Sequence, residues 1–132
     1  MRRLFLYVVL IWSSSINAVF ADDSAAVNMW YQALKNSDGE ILATLMTDDA
    51  RIFLNHLDVV QTRAEFIGSL DIWEDVAKDL EIEFVVDRLD EERLVAVVCY
   101  TFPDNAFTNR ETFSFDEGKI FLQVQEREKS GC

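Results

Sequence analysis

The stretch from residue 27 to residue 54 constrains the fold most, because its hydrophobic pattern changes twice within one short segment. Its first apolar side chains recur at the i, i+3, i+4, i+7 spacing of an amphipathic helix. They are Val27, Trp30, Tyr31 and Leu34. A turn at residues 36–39 ends this helix, and Asp38 is placed to cap a second, short helix. Residues 51–54 then have the pattern of a strand, so the segment predicts helix, turn, helix and strand.

The rest of the chain predicts one more helix and a run of strands. Thr62 and Glu65 have the spacing of a capping box, which satisfies two free backbone N–H groups at a helix start. The apolar face of that helix consists of Phe66, Leu70, Trp73, Ala77 and Leu80. Beyond it the period changes to two, which is typical of strands. The strands are expected at 51–54, 59–61, 81–86, 94–102, 108–115 and 119–126.

This order of elements predicts an α+β fold, with three helices packed on one face of a curved antiparallel sheet. The segment 94–102 is apolar on both faces, which predicts a central strand covered on both sides. The first helix is expected from residue 22 to residue 36, with Ser24 as its cap.

The same features resemble the nuclear transport factor 2-like superfamily, which includes SnoaL-like and ketosteroid-isomerase-like domains. The amino-terminal helices with Asp48-Asp49-Ala50 match its opening, and Phe113 to Ile120 looks like its closing hairpin. The resemblance implies a cystatin-like cone, in which the curved sheet wraps the helices and the open end forms a ligand pocket. It also implies a homodimer through the outer sheet face, where Phe121 is a candidate anchor.

Residues 1–21 have the pattern of a secretory signal peptide. A basic start precedes an apolar run at residues 4–12, and Val19 and Ala21 provide the cleavage site. The apolar run is shorter than the ~20 residues of a membrane-spanning helix. We therefore expect cleavage after Ala21, one domain at 22–132 without a stable membrane span, and a location in the bacterial periplasm or outside the cell.

The charge balance and the residue types exclude several classes of function. The chain has 24 acidic and 12 basic residues and a formal net charge of −12. A surface of this sign repels phosphate backbones, so nucleic acid is not an expected partner. One histidine cannot form a multi-histidine metal centre, and the glycines form no phosphate-binding loop. We therefore expect neither a metal nor another cofactor.

The resemblance does not extend to the isomerase residues. Alignment on Asp48-Asp49-Ala50 puts Trp30 where the isomerases carry a tyrosine donor, and Leu54 where they carry an aspartate base. An indole N–H is a poor acid and leucine cannot accept a proton. Glu111 alone matches in kind, at the position of their second acidic donor. Ketosteroid isomerisation is therefore disfavoured.

Two functions fit this pattern. The favoured one is non-catalytic: the cone binds an apolar or amphipathic small molecule, or the domain associates with other proteins. The candidate ligand-binding residues are Trp30, Phe66, Trp73, Asn109 and Phe113. The alternative is a SnoaL-like isomerase, lyase or hydrolase in which Glu111 and His56 act as acid and base.

Glu111 is the carboxylate of most interest for either function. Strand alternation directs its side chain into the cone, where burial would raise its pKa unless a partner held the charge. We expect an ordinary ion pair near the rim of the cone, with Arg51, Arg110 or Arg127 as its partner.

The two cysteines are not expected to pair. Export permits a disulfide, but Cys132 follows a polar tail, which would have to fold back to reach the centre of a buried strand. We expect Cys99 to pack as a small apolar core residue and Cys132 to be free or to pair with another molecule.

Overall fold

The computed structural model describes residues 16–132, and their side chains from Asp23 onward. The helices are α1 (Ile16–Lys35), α2 (Gly39–Leu45), α3 (Arg63–Gly68) and α4 (Leu70–Val76), with a single 3-10 turn at Asn55–Leu57. The strands are β1 (Met46–Leu54), β2 (Val59–Thr62), β3 (Glu81–Leu89), β4 (Arg93–Phe102), β5 (Asn105–Asp116) and β6 (Lys119–Ser130). Residues 1–15 of the expected signal peptide lie outside the described residues.

The six strands form one curved, unclosed sheet in the order β2-β1-β6-β5-β4-β3. Neighbouring strands pair antiparallel except β1 and β6, which run parallel. The helices pack against this sheet, so the predicted α+β fold is confirmed. The parallel pairing is possible because the long segment from β2 to β5 separates β1 from β6 in the chain.

The helix starts agree with the sequence in two places and differ in one. Asp38 caps α2 by accepting from the backbone N–H of Ile41 at 3.1 Å. Both hydrogen bonds of the capping box between Thr62 and Glu65 are present. The expected cap at Ser24 is wrong, because α1 begins at Ile16 and Ser24 lies inside it.

The third predicted helix is interrupted at Ser69, which separates α3 from α4. The Ser69 hydroxyl donates to the carbonyl of Phe66 at 2.6 Å, a local bond that competes with the helical hydrogen-bond pattern. The apolar face nevertheless remains continuous across the break, since Phe66 and Leu70 are both buried.

The core fills the space between the helices and the sheet. Trp30 is fully buried at its centre, stacked on Phe66 at 5.3 Å and edge-on to Phe113 at 5.6 Å between ring centroids. On β4, the side chains facing this core are buried. They are Leu94, Ala96, Val98 and Tyr100. The alternate β4 residues are only half-buried, so the predicted cover on both faces is wrong, because the helices cover one face only.

The expectation for the cysteines is also wrong, since Cys99 and Cys132 form a disulfide with a Cα–Cα distance of 5.7 Å. The reason is the length of β6, which continues to Ser130 and pairs that residue with Phe107 on β5. Along the opposite edge of β5, Thr108 pairs with Cys99 of β4. The disulfide therefore crosses β5 on the outer face of the sheet, away from the core.

Within residues 16–132, no helix combines the length and apolar character needed to cross a membrane.

Candidate functional site

A cavity of about 340 Å³ lies between α4, the 3-10 turn and the concave face of the sheet. Its inner wall is apolar and aromatic, with Phe66, Leu70 and Trp73 from the helices and Tyr100 and Phe107 from the sheet. No Asp or Glu side chain lines it among the residues that the structure describes. A concave, mostly apolar space with a few polar groups is the usual form of a small-molecule site.

The mouth of the cavity exposes large apolar side chains to solvent. Ile72 is 75% exposed, Leu57 59% and Val76 55%, and all three line the cavity. Single exposed apolar residues are common on protein surfaces, but a group of them around a cavity marks a binding surface.

Ring contacts hold the aromatic wall in place. Phe107 stacks on Tyr100 with 5.1 Å between ring centroids, and it contacts Phe102 at 5.9 Å. Trp73 packs edge-on to Phe102 at 6.2 Å, and its Nε1 donates to the Leu34 carbonyl at 2.7 Å. Because both ends of Trp73 are fixed, its ring is a rigid part of the wall.

Behind this wall lies Glu111, which is fully buried and accepts four hydrogen bonds from neutral side chains. Oε1 accepts from the Tyr31 hydroxyl at 2.8 Å and from Gln123 Nε2 at 3.2 Å. Oε2 accepts from the Tyr100 hydroxyl at 2.8 Å and from Asn109 Nδ2 at 3.1 Å. Two hydrogen bonds on each oxygen use the acceptor capacity of the carboxylate.

Burial dominates the electrostatics of this cluster. Burial raises the pKa of Glu111, and the four hydrogen bonds act against that rise. Burial, and next the charge of Glu111, raise the pKa of Tyr31 and of Tyr100 well above the usual value of 10.0. Both tyrosines therefore remain protonated donors, and Glu111 is held as an acceptor inside the protein.

The ion pair expected for Glu111 is absent from the described residues. Arg110 instead bonds Asp87 at 2.7 Å and Glu128 at 3.5 Å. The third candidate partner, Arg127, donates from Nε to Asn109 Oδ1 at 3.0 Å. Arg51 donates to backbone carbonyls of its own strand. The expected pairing is therefore wrong, because neutral donors from three strands and α1 enclose the carboxylate before an arginine can reach it.

Arg127 contacts two residues of the cavity lining, Phe107 and Asn109, but is not itself part of that lining. His56 is part of the lining, and burial, followed by the positive charge of Arg127, lowers its pKa. The Arg127 guanidinium lies over the Phe107 ring at 3.7 Å from the centroid, in cation–π contact.

The structure separates the predicted site residues into two groups. Four of them line the cavity: His56, Phe66, Trp73 and Asn109. Three lie outside the lining: Trp30 and Phe113 are buried in the core, and Glu111 is buried behind Tyr100 and Asn109. No hydrogen bond joins Glu111 to His56 within the described part of the chain.

Sequence reasoning missed the donors to Glu111 other than Asn109, which are Tyr31, Tyr100 and Gln123. An ungapped alignment put Trp30 at the tyrosine position, whereas the hydroxyl that reaches the carboxylate belongs to the next residue, Tyr31. A one-residue shift of that helix was the available signal. In the same way, Tyr100 alternates with Val98 toward the core on β4, which directs its hydroxyl inward.

No group of three or more His, Cys, Asp or Glu side chains is arranged to hold a metal ion in the described part of the chain.

No protein-family model and no curated protein sequence matches this chain. Solved structures do match. An NTF-2-like protein of unknown function from Burkholderia xenovorans has a TM-score of 0.70 and 14% identity, over 83% of this chain and 84% of that one. A candidate ketosteroid isomerase from Kribbella flavida has a TM-score of 0.67 and 18% identity, over 83% of this chain and 80% of that one. A candidate polyketide cyclase from Xanthomonas campestris has a TM-score of 0.64 and 21% identity, over 81% of this chain and 90% of that one. The chain therefore has the cone fold of the NTF2-like proteins.

Proposed function

We propose that this protein binds an apolar or amphipathic small molecule in the cavity of the cone without transforming it. The observation that carries the proposal is the cavity itself: it is about 340 Å³ in volume, aromatic on its inner wall and free of carboxylates among the described residues. That volume lies at the lower end of the roughly 300–1,000 Å³ typical of small-molecule sites. The ligand is therefore a small one.

Two features favour binding over catalysis. Leu54, at the position where the resemblance places a catalytic aspartate, does line the cavity, but its side chain cannot accept a proton. Glu111 has both oxygens occupied by protein donors, so a ligand would have to displace one of them to reach it. A general base needs direct or one-water access to the proton that it removes.

The structural neighbours are consistent with this proposal at the level of the fold. Their names include a candidate polyketide cyclase and an epoxide hydrolase from M. tuberculosis, which act on small organic molecules. The same fold therefore accommodates small molecules in other proteins, while the residues of this cavity determine what happens to them here.

Binding can be tested with the neutral fluorescent probe N-phenylnaphthylamine. We expect its emission to rise on addition of the protein, because the cavity excludes water from the dye. Ile72→Arg should weaken the probe's binding at least tenfold, since a cation at the mouth must be desolvated or displaced. Met29→Arg is the matched control, because Met29 is also helical, apolar and 44% exposed but lies outside the cavity lining.

Equal binding by both variants would contradict the proposed site, and no binding by the wild type would contradict the proposed function. The catalytic alternative has its own test. If extracts of the source cells contained a compound that the wild type converts, and Glu111→Gln and His56→Ala variants stayed folded but lost that turnover, the protein would be an enzyme.

We also propose that the protein is exported, which the sequence pattern of residues 1–21 suggests. The disulfide between Cys99 and Cys132 supports this proposal, because such bonds persist in oxidising compartments. The amino terminus of the protein isolated from its cells should be Asp22. An intact Met1 in the membrane fraction would instead mean that the segment is an anchor.

Dimerisation through the outer sheet face is a further proposal from the resemblance. Phe121 is 40% exposed, as an interface anchor requires, whereas the net charge of −12 opposes association at low salt. Sedimentation at low and moderate salt tests it, and a monomer mass under both conditions would exclude it.

A further inference from the structure

We propose that the ligand is an amphipathic carboxylate, whose apolar body fills the cavity and whose charged end pairs with Arg127 beside His56 and Asn109. This inference rests on the proposed function and names the class of ligand. Three observations support it. The cavity lining lacks acidic side chains, Arg127 has no ion-pair partner among the described residues, and its terminal NH₂ groups make no hydrogen bond there.

Within the described residues, the cavity lining lacks the acidic side chains that are abundant in the rest of the protein. The chain has a formal net charge of −12, yet no Asp or Glu lines the cavity within residues 23–132. The ionisable side chains in the lining are Tyr100, which stays protonated, and His56, on which the charged group that acts is the cation Arg127. A positive site in an otherwise negative protein attracts an anion locally while the rest of the surface repels it.

Arg127 has no ion-pair partner among the described residues, in contrast to several other arginines. Arg63, Arg93 and Arg110 each pair with an acidic side chain. The acidic neighbours of Arg127 are engaged elsewhere, because Glu128 pairs with Arg110 and Glu126 accepts from Asn55 Nδ2 at 3.3 Å.

The protein positions Arg127 without using its two terminal guanidinium nitrogens. Nε donates to Asn109 Oδ1 at 3.0 Å, and the guanidinium plane lies over Phe107. Both contact residues line the cavity. In the described part of the chain the two terminal NH₂ groups have no hydrogen-bond partner, so they remain available as the donor pair that arginine presents to a carboxylate.

The test compares decanoate with decanol, which share an apolar chain and differ in the charge of the head group. Each displaces N-phenylnaphthylamine from the wild type and from Arg127→Gln. We expect the substitution to weaken decanoate about fivefold at low salt, in the range of an exposed ion pair, and to leave decanol unchanged. Arg88→Gln is the matched control, since Arg88 is exposed on β3 and the substitution changes the net charge equally.

His56 supplies a second readout that a merely structural role of Arg127 would not change. It is the single histidine of the chain, so its ring protons give one assignable NMR titration. Decanoate should raise the His56 pKa, because a bound anion offsets the repulsion by Arg127, whereas decanol should not. Glu126 lies near His56 through its bond to Asn55. Its charge acts on the His56 pKa equally with decanoate and with decanol, so it does not contribute to the difference between them.

The outcomes separate this inference from the proposed function. Suppose that the neutral probe binds, but that Arg127→Gln weakens the binding of decanoate and of decanol equally, or of neither. The cavity then has no preference for a carboxylate, and the inference fails while the proposed function stands. If the probe and decanol do not bind to the wild type at all, the proposed function fails as well.

Discussion

At the scale of single residues, the unusual feature is a fully buried carboxylate held by neutral donors. Glu111 accepts from two tyrosines and two amides, and burial outweighs those bonds, so that its pKa is raised above the ordinary value of 4.5. A glutamate whose pKa is higher in the folded than in the unfolded state stabilises the fold most below its unfolded pKa. That stabilisation is lost as the pH rises through the folded pKa.

Replacement of Glu111 by glutamine should therefore show a definite pH dependence. The amide NH₂ leaves one buried donor without an acceptor, at a cost of about 1–3 kcal/mol. Urea unfolding should show the largest difference between wild type and Glu111→Gln at acid pH, with a decrease as the pH rises above the ordinary value of 4.5. The exposed Glu83→Gln gives the baseline, and a difference that grows with pH would mean that the pKa of Glu111 is lowered instead.

The sequence predicted the position of Glu111 but not its surroundings. The two-residue period of a strand was sufficient to predict that this side chain faces the core, because the period depends only on neighbouring residues. The Tyr31 donor is separated from Glu111 by 80 residues, and a contact of that kind depends on the curvature of the sheet and the rotation of α1. Neither of these is visible in the periodicity.

At the scale of elements, the turn between β5 and β6 shows how local chemistry fixes a hairpin. Asp116 pairs with Lys119, and the two residues between them, Glu117 and Gly118, have φ values of 49° and 80°. Positive φ at both positions is the signature of the type I′ turn that suits the twist of paired strands. Glycine adopts it freely, whereas glutamate is strained there.

Glu117→Asn should therefore stabilise the protein by about 0.5–1 kcal/mol, because asparagine tolerates the left-handed conformation better than glutamate does. An increase in the urea midpoint with an unchanged slope would show this. Glu91→Asn is the control, since Glu91 lies in the turn between β3 and β4 and has no positive φ. An equal gain from both would indicate an effect of charge removal rather than of turn geometry.

Element types were more predictable than element lengths. The capping box of Thr62, the Asp38 cap and the closing turn are encoded by neighbouring residues, and all three are confirmed. The carboxyl-terminal part of β6 was missed, because residues 127–130 are polar and have no apolar alternation. Pairing with β5 orders them regardless of polarity, and this extension also brings Cys132 to Cys99.

At the scale of the whole molecule, the disulfide connects β4 to the end of β6 across β5. It closes a loop with a sequence separation of 33 residues, for which the loss of unfolded-state entropy corresponds to about 3–4 kcal/mol. The double variant Cys99→Ser/Cys132→Ser should lose about 2–4 kcal/mol of unfolding free energy. Guanidinium unfolding with and without a reducing agent measures it.

In that experiment the reduced wild type and the double variant should coincide, and the reducing agent should not affect the variant. A wild type whose unfolding midpoint is the same under both conditions would show that the bridge contributes nothing to stability. Displacement of N-phenylnaphthylamine by decanoate from the reduced protein, compared with displacement by decanol, would report separately whether the position of Arg127 depends on the bridge.

The parallel pairing of β1 with β6 has a consequence for biosynthesis. β6 follows the other five strands in the chain but lies in the interior of the sheet, between β1 and β5. Until it has been made, the ribosome-bound chain holds two separate groups of strands, each with a hydrogen-bonding edge that has no partner. Folding to completion must therefore wait for the last strand. Such late, non-local closure also makes folding slow relative to proteins rich in local contacts.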